Sequence, residues 1–260
     1  MNHESRTYRA MDDAVEGLAA LEVRYRERND RRAIFLTLYG VVSAEMQARV
    51  AARAFEDNAW VERYTVTFAN LYREALASYE ARELSRVPKS WRLCFDAAVA
   101  GTGLVLQDVL LGVNAHVNHD LPLALSTISI EPDRARRYRD HSAVNAVLAS
   151  VTERATERLA ATYAPGLTAM DDCAGSIDEI LSAFSLEVAR ESAWEGAVSL
   201  ANARNAFERE LVSRLMATRA AAVARLLLAP SHNPRFIAAC RRIEQGNAWM
   251  TLLGGAISTT

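Results

Sequence analysis

The most apolar stretch of the chain, residues 104–121, predicts a helix that is buried on nearly every side. At about 100° per residue, most of its apolar side chains fall on one broad face, while Leu104 and Leu111 fall nearly opposite. A helix with so little polar circumference is usually a core helix. We therefore expect this helix at the centre of the fold.

Four polar side chains interrupt the second half of this stretch at alternate positions: Asn114, His116, Asn118 and Asp120. The spacing i, i+4 places His116 and Asp120 on a common side of the helix, and Asn114 and Asn118 on the other flank. Burying such a group without a partner costs roughly 1–3 kcal/mol, and more for a carboxylate. We therefore expect these groups to bind one another, neighbouring helices, a metal or a ligand.

The same geometry directs His119 elsewhere, along a stripe with Asp108 and Ala115 that we expect to face solvent. Pro122 follows the polar cluster. If the helix continues past it, the ring denies the carbonyl of Asn118 its helical hydrogen bond and kinks the axis.

Helical periodicity recurs over most of the remaining chain, and neither strand alternation nor an internal repeat is present. The predicted helices cover approximately residues 12–28, 33–55, 60–85, 90–100, 135–163, 167–184, 187–201, 203–228 and 235–242. The predicted fold class is therefore all-α: a single-domain helical bundle over 1–260, with 1–32 and 246–260 as peripheral segments. The apolar, Gly-rich tail leaves open a homodimer in which it docks on a second subunit.

Composition narrows the class of protein. Half of the 260 residues are apolar and Gly and Pro are scarce, as in a compact helical protein. Thirty basic residues nearly balance 32 acidic ones, which argues against nucleic acid or an anionic membrane as a partner. We expect a small molecule instead.

Cysteine usage and the N-terminus predict a cytoplasmic protein. The three cysteines, Cys94, Cys173 and Cys240, are isolated and odd in number, as expected of reduced, buried thiols. Residues 1–9 lack the apolar core of a signal peptide. No apolar run reaches the ~18 residues of a membrane span.

Three short motifs stand out between residues 33 and 230: Phe55-Glu56-Asp57 with Trp60, Trp91-Arg92 with Phe95-Asp96, and Asn114-Ala115-His116-x-Asn118-x-Asp120. In these motifs the chain resembles a family of uncharacterised, all-helical bacterial proteins of the domain-of-unknown-function series, commonest in actinobacteria. The resemblance implies a compact helical domain and no established activity.

His116 and Asp120 are the leading candidates for chemistry. At i, i+4 spacing they can hold one divalent metal, or the carboxylate can orient the imidazole for general acid/base work. His141, on a later helix, is a candidate to complete either arrangement, and Asn118 a candidate to assist. The alternative is a structural network in which His116 is a satisfied core histidine.

A pocket is expected near His116, Asn118 and Asp120, with His141 and Asn145 across from them. The candidate substrate-binding residues are Asn114, Asn145, Asp96, Tyr72 and Trp91. Three function classes remain open: an enzyme acting on a small organic substrate, a non-catalytic binder of an apolar small molecule, and a helical interaction protein whose polar cluster is structural. Arg190 and Trp194, at i, i+4, predict a cation–π pair or a grip on an acidic ligand.

Overall fold

The structure, a computed structural model, describes residues 7–166, 185–229 and 234–246. Regular structure in these ranges is helical throughout, with no strand, so the all-α prediction is confirmed. The helices are α1 (Met11–Glu27), α2 (Arg32–Ala51), α3 (Asn58–Glu80), α4 (Lys89–Ala100), α5 (Val105–Ala115), a π-helical segment (His116–Asp120), α6 (Leu121–Ile128), α7 (Arg134–Tyr163), α8 (Leu186–Asn202), α9 (Ala206–Leu228) and α10 (Pro234–Glu244).

Most helix ends lie close to those that the sequence predicts. The second helix is shorter than predicted. It ends at Ala51, and Arg53, two residues later, takes a positive φ of 55°, which does not occur within a right-handed helix. Gly101 ends α4 in the left-handed conformation that its missing side chain permits. The helix predicted over 167–184, Cys173 and the tail from 247 lie outside the described residues.

The central position of α5 is confirmed, because no residue from 103 to 126 is exposed. Helices α2, α4 and α9 pack around it. Helix α1, within the stretch expected at the periphery, packs into the core through Leu18 and Tyr25, both 0% exposed. The described helices include none that is both long and apolar enough to cross a membrane.

The solvent stripe expected at Asp108 and Ala115 is wrong. Both are buried, and the Asp108 carboxylate accepts a 2.7 Å hydrogen bond from Arg31 Nε. Burial raises the pKa of Asp108 to about 6, although Arg31 acts to lower it. Helical periodicity gives the direction of each side chain about the axis of its own helix only. Neighbouring helices pack against the side that carries Asp108 and Ala115 and bury it.

The chain passes Pro122 without ending the helix, by widening it. Over His116–Asp120 the turns are π-helical, and the backbone N–H of Leu121 donates to the carbonyl of His116, five residues back. Helix α6 then continues with Pro122 in its first turn. Single π-helical turns inside α-helices occur frequently at functional sites. This one contains both His116 and Asp120.

Candidate functional site

The Asp120 carboxylate is the centre of the polar cluster. Its Oδ2 accepts hydrogen bonds from Trp91 Nε1 at 2.8 Å and from His116 Nδ1 at 3.0 Å. Its Oδ1 accepts one from His119 Nδ1 at 2.7 Å. Asp120 is 1% exposed, and burial alone would raise its pKa, but the two histidine hydrogen bonds lower it overall. The group is therefore an ionised carboxylate with three donors.

This contact fixes the tautomer of His116. A carboxylate accepts, so the proton of the neutral ring sits on Nδ1, and Nε2 presents a lone pair. Burial lowers the pKa of His116 despite the opposing effect of Asp120, so the ring is neutral at pH 7. Nε2 is buried and has no hydrogen-bond partner among the described residues. An oriented imidazole with a free Nε2 is the arrangement of a general base.

Aromatic rings hold the imidazole in place. Phe68, from α3, stacks on it with a centroid separation of 3.4 Å and an interplanar angle of 6°. Tyr39, from α2, meets it edge-on at 4.6 Å. Phe68 lies four residues after Tyr64 and four before Tyr72, a helical spacing that is typical of core packing. Here a pocket opens beside it.

The pocket is a cavity of about 490 Å³ between α2, α3, α5, the π-helical segment, α7 and α8. This volume lies in the range of small-molecule sites. Its wall is mostly apolar and aromatic, with contributions from Val109, Val113, Leu148 and Val151. His116 and Tyr39 both lie in this wall, whereas Asp120 lies behind His116 and is not a lining residue.

Tyr39 provides a second unsatisfied group. Its hydroxyl is buried and has no hydrogen-bond partner among the described residues. Burial raises the pKa of Tyr39 well above its usual value, and the charge of Asp120 raises it further. The phenol therefore keeps its proton and is available as a donor. Two residues that line the cavity thus each contain an unpaired polar atom: an acceptor, His116 Nε2, and a donor, the Tyr39 hydroxyl.

The described residues do not fit a divalent metal. No three His, Cys, Asp or Glu side chains within them form a set able to hold an ion. Both oxygens of Asp120 already accept from Trp91, His116 and His119, so the carboxylate and the imidazole face each other rather than a common vacant point. Of the two arrangements predicted for His116 and Asp120, this geometry favours the acid/base pair.

His141 and Asn145 belong to a second buried cluster, which joins α7 to α8. His141 Nε2 donates to the carbonyl of Arg190 at 3.1 Å, and Arg190 Nη2 donates to the carbonyl of His141 at 2.6 Å. Arg190 Nε donates to Asn145 Oδ1 at 2.6 Å. Burial, with the nearby Arg190 charge, lowers the pKa of His141 to about 3. The described contacts of His141 are with Arg190 and Trp194, and none is with His116 or Asp120.

The asparagines of the central helix face away from the cavity. Asn118 Nδ2 donates to Asn114 Oδ1, and Asn114 Nδ2 donates to the carbonyl of Ala220 on α9, both at 2.9 Å. Neither side chain lines the cavity. Asn118 therefore lies with Asn114 on the flank that the i, i+4 spacing indicated, and the hydrogen bond of Asn114 ties the central helix to α9.

The remaining substrate-binding candidates also lie outside the cavity wall. Asp96 is exposed and accepts a 2.8 Å hydrogen bond from Tyr79. Tyr72 is 1% exposed and packs against Trp91, with ring centroids 5.1 Å apart. Trp91 belongs to the polar cluster through the hydrogen bond that its Nε1 donates to Asp120.

Sequence reasoning missed several groups of the site. It directed His119 outward, whereas His119 donates to the Asp120 carboxylate, a contact that the sequence did not indicate because adjacent side chains of a helix do not normally face each other. It passed over Tyr39, whose position on the apolar stripe of α2, four residues after Phe35, was the available signal. Phe68 carried no signal that separated it from core packing. Arg190 was a candidate for an acidic ligand only through its spacing to Trp194, and the described cation–π contacts do not include that pair.

Comparison with known proteins gives a family without an activity. A family of unknown function (DUF5995) matches residues 11–230 of the chain, a wider span than the motifs at 33–230. No curated protein and no solved structure matches the sequence.

Proposed function

The chain belongs to DUF5995, a family of unknown function, so membership assigns no reaction and we propose one from the geometry of the cavity. We propose that the protein is an enzyme that moves a proton on an apolar small molecule by general acid–base catalysis. His116 is the base, and Tyr39 donates a hydrogen bond to a substrate oxygen. One observation carries the proposal: two residues of the wall of one apolar cavity, His116 and Tyr39, each contain a buried polar atom without a hydrogen-bond partner among the described residues.

The chemistry follows from the two groups. His116 Nε2 takes a proton from a carbon next to a substrate carbonyl, the electron pair of that C–H bond forms a C=C bond, and the π pair of the carbonyl moves to its oxygen. Asp120 stabilises the imidazolium that forms, through the bond to Nδ1. The Tyr39 hydroxyl donates to the developing oxyanion. Return of a proton to the same carbon completes an exchange, and in a substrate with a C=C bond conjugated to the enolate, return to the far end of that bond gives an isomer.

An alternative role for His116, activation of a serine or threonine of the protein as a nucleophile, is less well supported. Ser43 and Thr65 line the cavity, but Nε2 of His116 hydrogen-bonds to no hydroxyl of the described residues. Nucleophilic catalysis by serine or threonine requires such a contact with the base. The unpaired Nε2 also distinguishes His116 from a satisfied core histidine, which argues against a purely structural cluster.

Hydrogen exchange tests the reaction without a known substrate. A panel of apolar ketones and aldehydes is incubated with the protein in D2O, and deuterium next to the carbonyl is measured by mass spectrometry. We expect protein-dependent exchange that falls about 10²–10⁴-fold in His116→Gln. We expect a fall of about 10²–10³-fold in Tyr39→Phe, as for removal of one oxyanion donor.

Two variants serve as controls. Tyr138→Phe removes an exposed hydroxyl that bonds Glu191, and Asn118→Ala removes a side chain that does not line the cavity. Both should retain the exchange rate. Exchange equal in wild type and His116→Gln, for every compound of the panel, overturns the proposed reaction.

The apolar wall favours a second candidate function, binding of an apolar small molecule without chemistry. Compounds that bind in the cavity without exchange in D2O would support it. We also propose, from the sequence alone, a cytoplasmic location, a bacterial source and Asn114–Asp120 as the core motif of the family. A homodimer stays a prediction.

A further inference from the structure

We propose that the ligand of this cavity is an apolar molecule carrying one carboxylate, and that Arg190 binds that carboxylate. This inference rests on the proposed function, since it names the substrate class for the same cavity. Arg190, on α8, is 3% exposed and is one of the residues of the cavity wall.

Arg190 is a buried cation whose charge no described carboxylate balances. Its contacts are with Asn145 Oδ1, the carbonyl of His141 and His141 Nδ1, all neutral. Arg73, also buried, differs because the Glu74 carboxylate lies 3.8 Å from its guanidinium. The half-buried Arg31 is likewise paired with Asp108, at 2.6 Å. Burying an unpaired charge is expensive, so such groups are usually paired.

The Arg190 guanidinium also has N–H groups that donate to none of the described residues. Nε and Nη2 are engaged, but Nη1 has no hydrogen-bond partner among the described residues. Asn145 and the carbonyl of His141 hold the side chain from the α7 side, which fixes its orientation before a ligand arrives. A preorganised guanidinium binds carboxylates through short, charge-assisted hydrogen bonds.

The other residues of the cavity wall determine that the ligand is apolar apart from its carboxylate. Among the described lining residues Arg190 is the only one with a formal charge, because His116 is neutral. Its neighbours in the wall include Val144, Leu148 and Leu186. A ligand that fills the cavity therefore gains from burial of apolar surface along most of its length and from an anion at one place only.

A matched pair of probes tests the ligand class. Dodecanoate and its methyl ester share a chain and differ in charge, and binding of each to the full-length protein is measured by isothermal titration calorimetry at pH 7.5. We expect dodecanoate to bind about tenfold or more tightly than the ester, with one site per chain. Equal affinities, or no binding of either probe, overturn the inference.

Variants assign the preference to Arg190. In Arg190→Gln we expect the acid-over-ester preference to disappear while the affinity for the ester stays within about threefold of wild type. Arg209→Gln removes a charge of the same kind from α9, outside the cavity wall, and should keep the full preference. A preference that persists in Arg190→Gln overturns the inference.

If Arg190→Gln does not fold, Arg190→Lys decides. Lysine retains the charge but not the fork of donors, so an intermediate preference supports the assignment, whereas an unchanged preference contradicts it. The His116→Gln variant separates this inference from the proposed reaction. A protein that keeps the acid preference but shows no His116-dependent exchange disproves only the reaction, and one that exchanges without acid preference disproves only the ligand class.

Discussion

Two buried histidines, His116 and His141, show how similar surroundings produce different capabilities. Both are nearly inaccessible to solvent, at 3% and 1%, and burial holds both neutral. Both ring nitrogens of His141 lie close to groups of Arg190, so its ring links two helices. His116 uses one nitrogen on Asp120, its other nitrogen has no partner among the described residues, and the residue belongs to the wall of a cavity. Burial is therefore common to both histidines, and the unpaired nitrogen of a cavity-lining residue is what makes His116 the candidate.

The polar cluster around Asp120 and the cluster around Arg190 can be compared by removing one hydrogen-bond acceptor from each. Asp120→Ala leaves three donors without their acceptor: the buried Trp91 and His116, and the half-buried His119. We expect a loss of about 3–5 kcal/mol in the free energy of unfolding, measured with urea. Asn145→Ala removes one neutral acceptor from Arg190 and should cost about 1–3 kcal/mol. Equal losses would contradict the ranking of the two clusters.

The pH dependence of stability tests the neutral state of His141. Its pKa of about 3 in the fold lies below the value of about 6.5 in an unfolded chain, so only the unfolded chain takes up a proton between these values. The contribution to stability is complete above about pH 6.5 and declines by up to about 1.4 kcal/mol per pH unit on acidification.

The variant His141→Gln isolates this contribution. We expect the wild type to lose about 2–3 kcal/mol more than the variant between pH 6.5 and 4.5, in urea unfolding at a series of pH values. The lowered pKa of His116 acts in the same direction, and the pKa of Asp108, raised to about 6, acts in the opposite direction over about pH 4–6. Both are present in wild type and variant, so the difference reports on His141. Parallel pH curves would refute the neutral assignment.

Packing between the central helix and α2 is tight beside His116, and two glycines test this. A Cβ at Gly112, on α5, would overlap the ring of Phe35, which packs 5.9 Å from the His116 ring. We expect Gly112→Ala to cost about 1–2 kcal/mol, after the gain in helix propensity.

Gly40, on α2, is the matched control, because an added Cβ there has no neighbour within 4 Å. Gly40→Ala should stabilise the protein by about 0.5–1 kcal/mol through helix propensity and the unfolded state. Thermal unfolding of the two variants side by side provides the measurement. A stabilised Gly112→Ala would show that the Phe35 ring can move aside without cost.

Local patterns in the sequence were enough to predict the helical architecture and the central helix. Helical periodicity predicted most helix ends, because it reflects side chains only a few residues apart in the chain. The i, i+4 spacing predicted the contact between His116 and Asp120 for the same reason. The predominantly apolar character of 104–121 predicted its burial.

Contacts between helices that are distant in the chain determine which polar residues line the cavity. Trp91 is 29 residues from Asp120, and the Tyr39 and Phe68 rings reach His116 from two other helices. Periodicity gives the direction of a side chain about its own helix axis and does not state which helix lies opposite. For that reason the sequence could not show that His116 keeps an unpaired nitrogen, or that Arg190 lines the same apolar space.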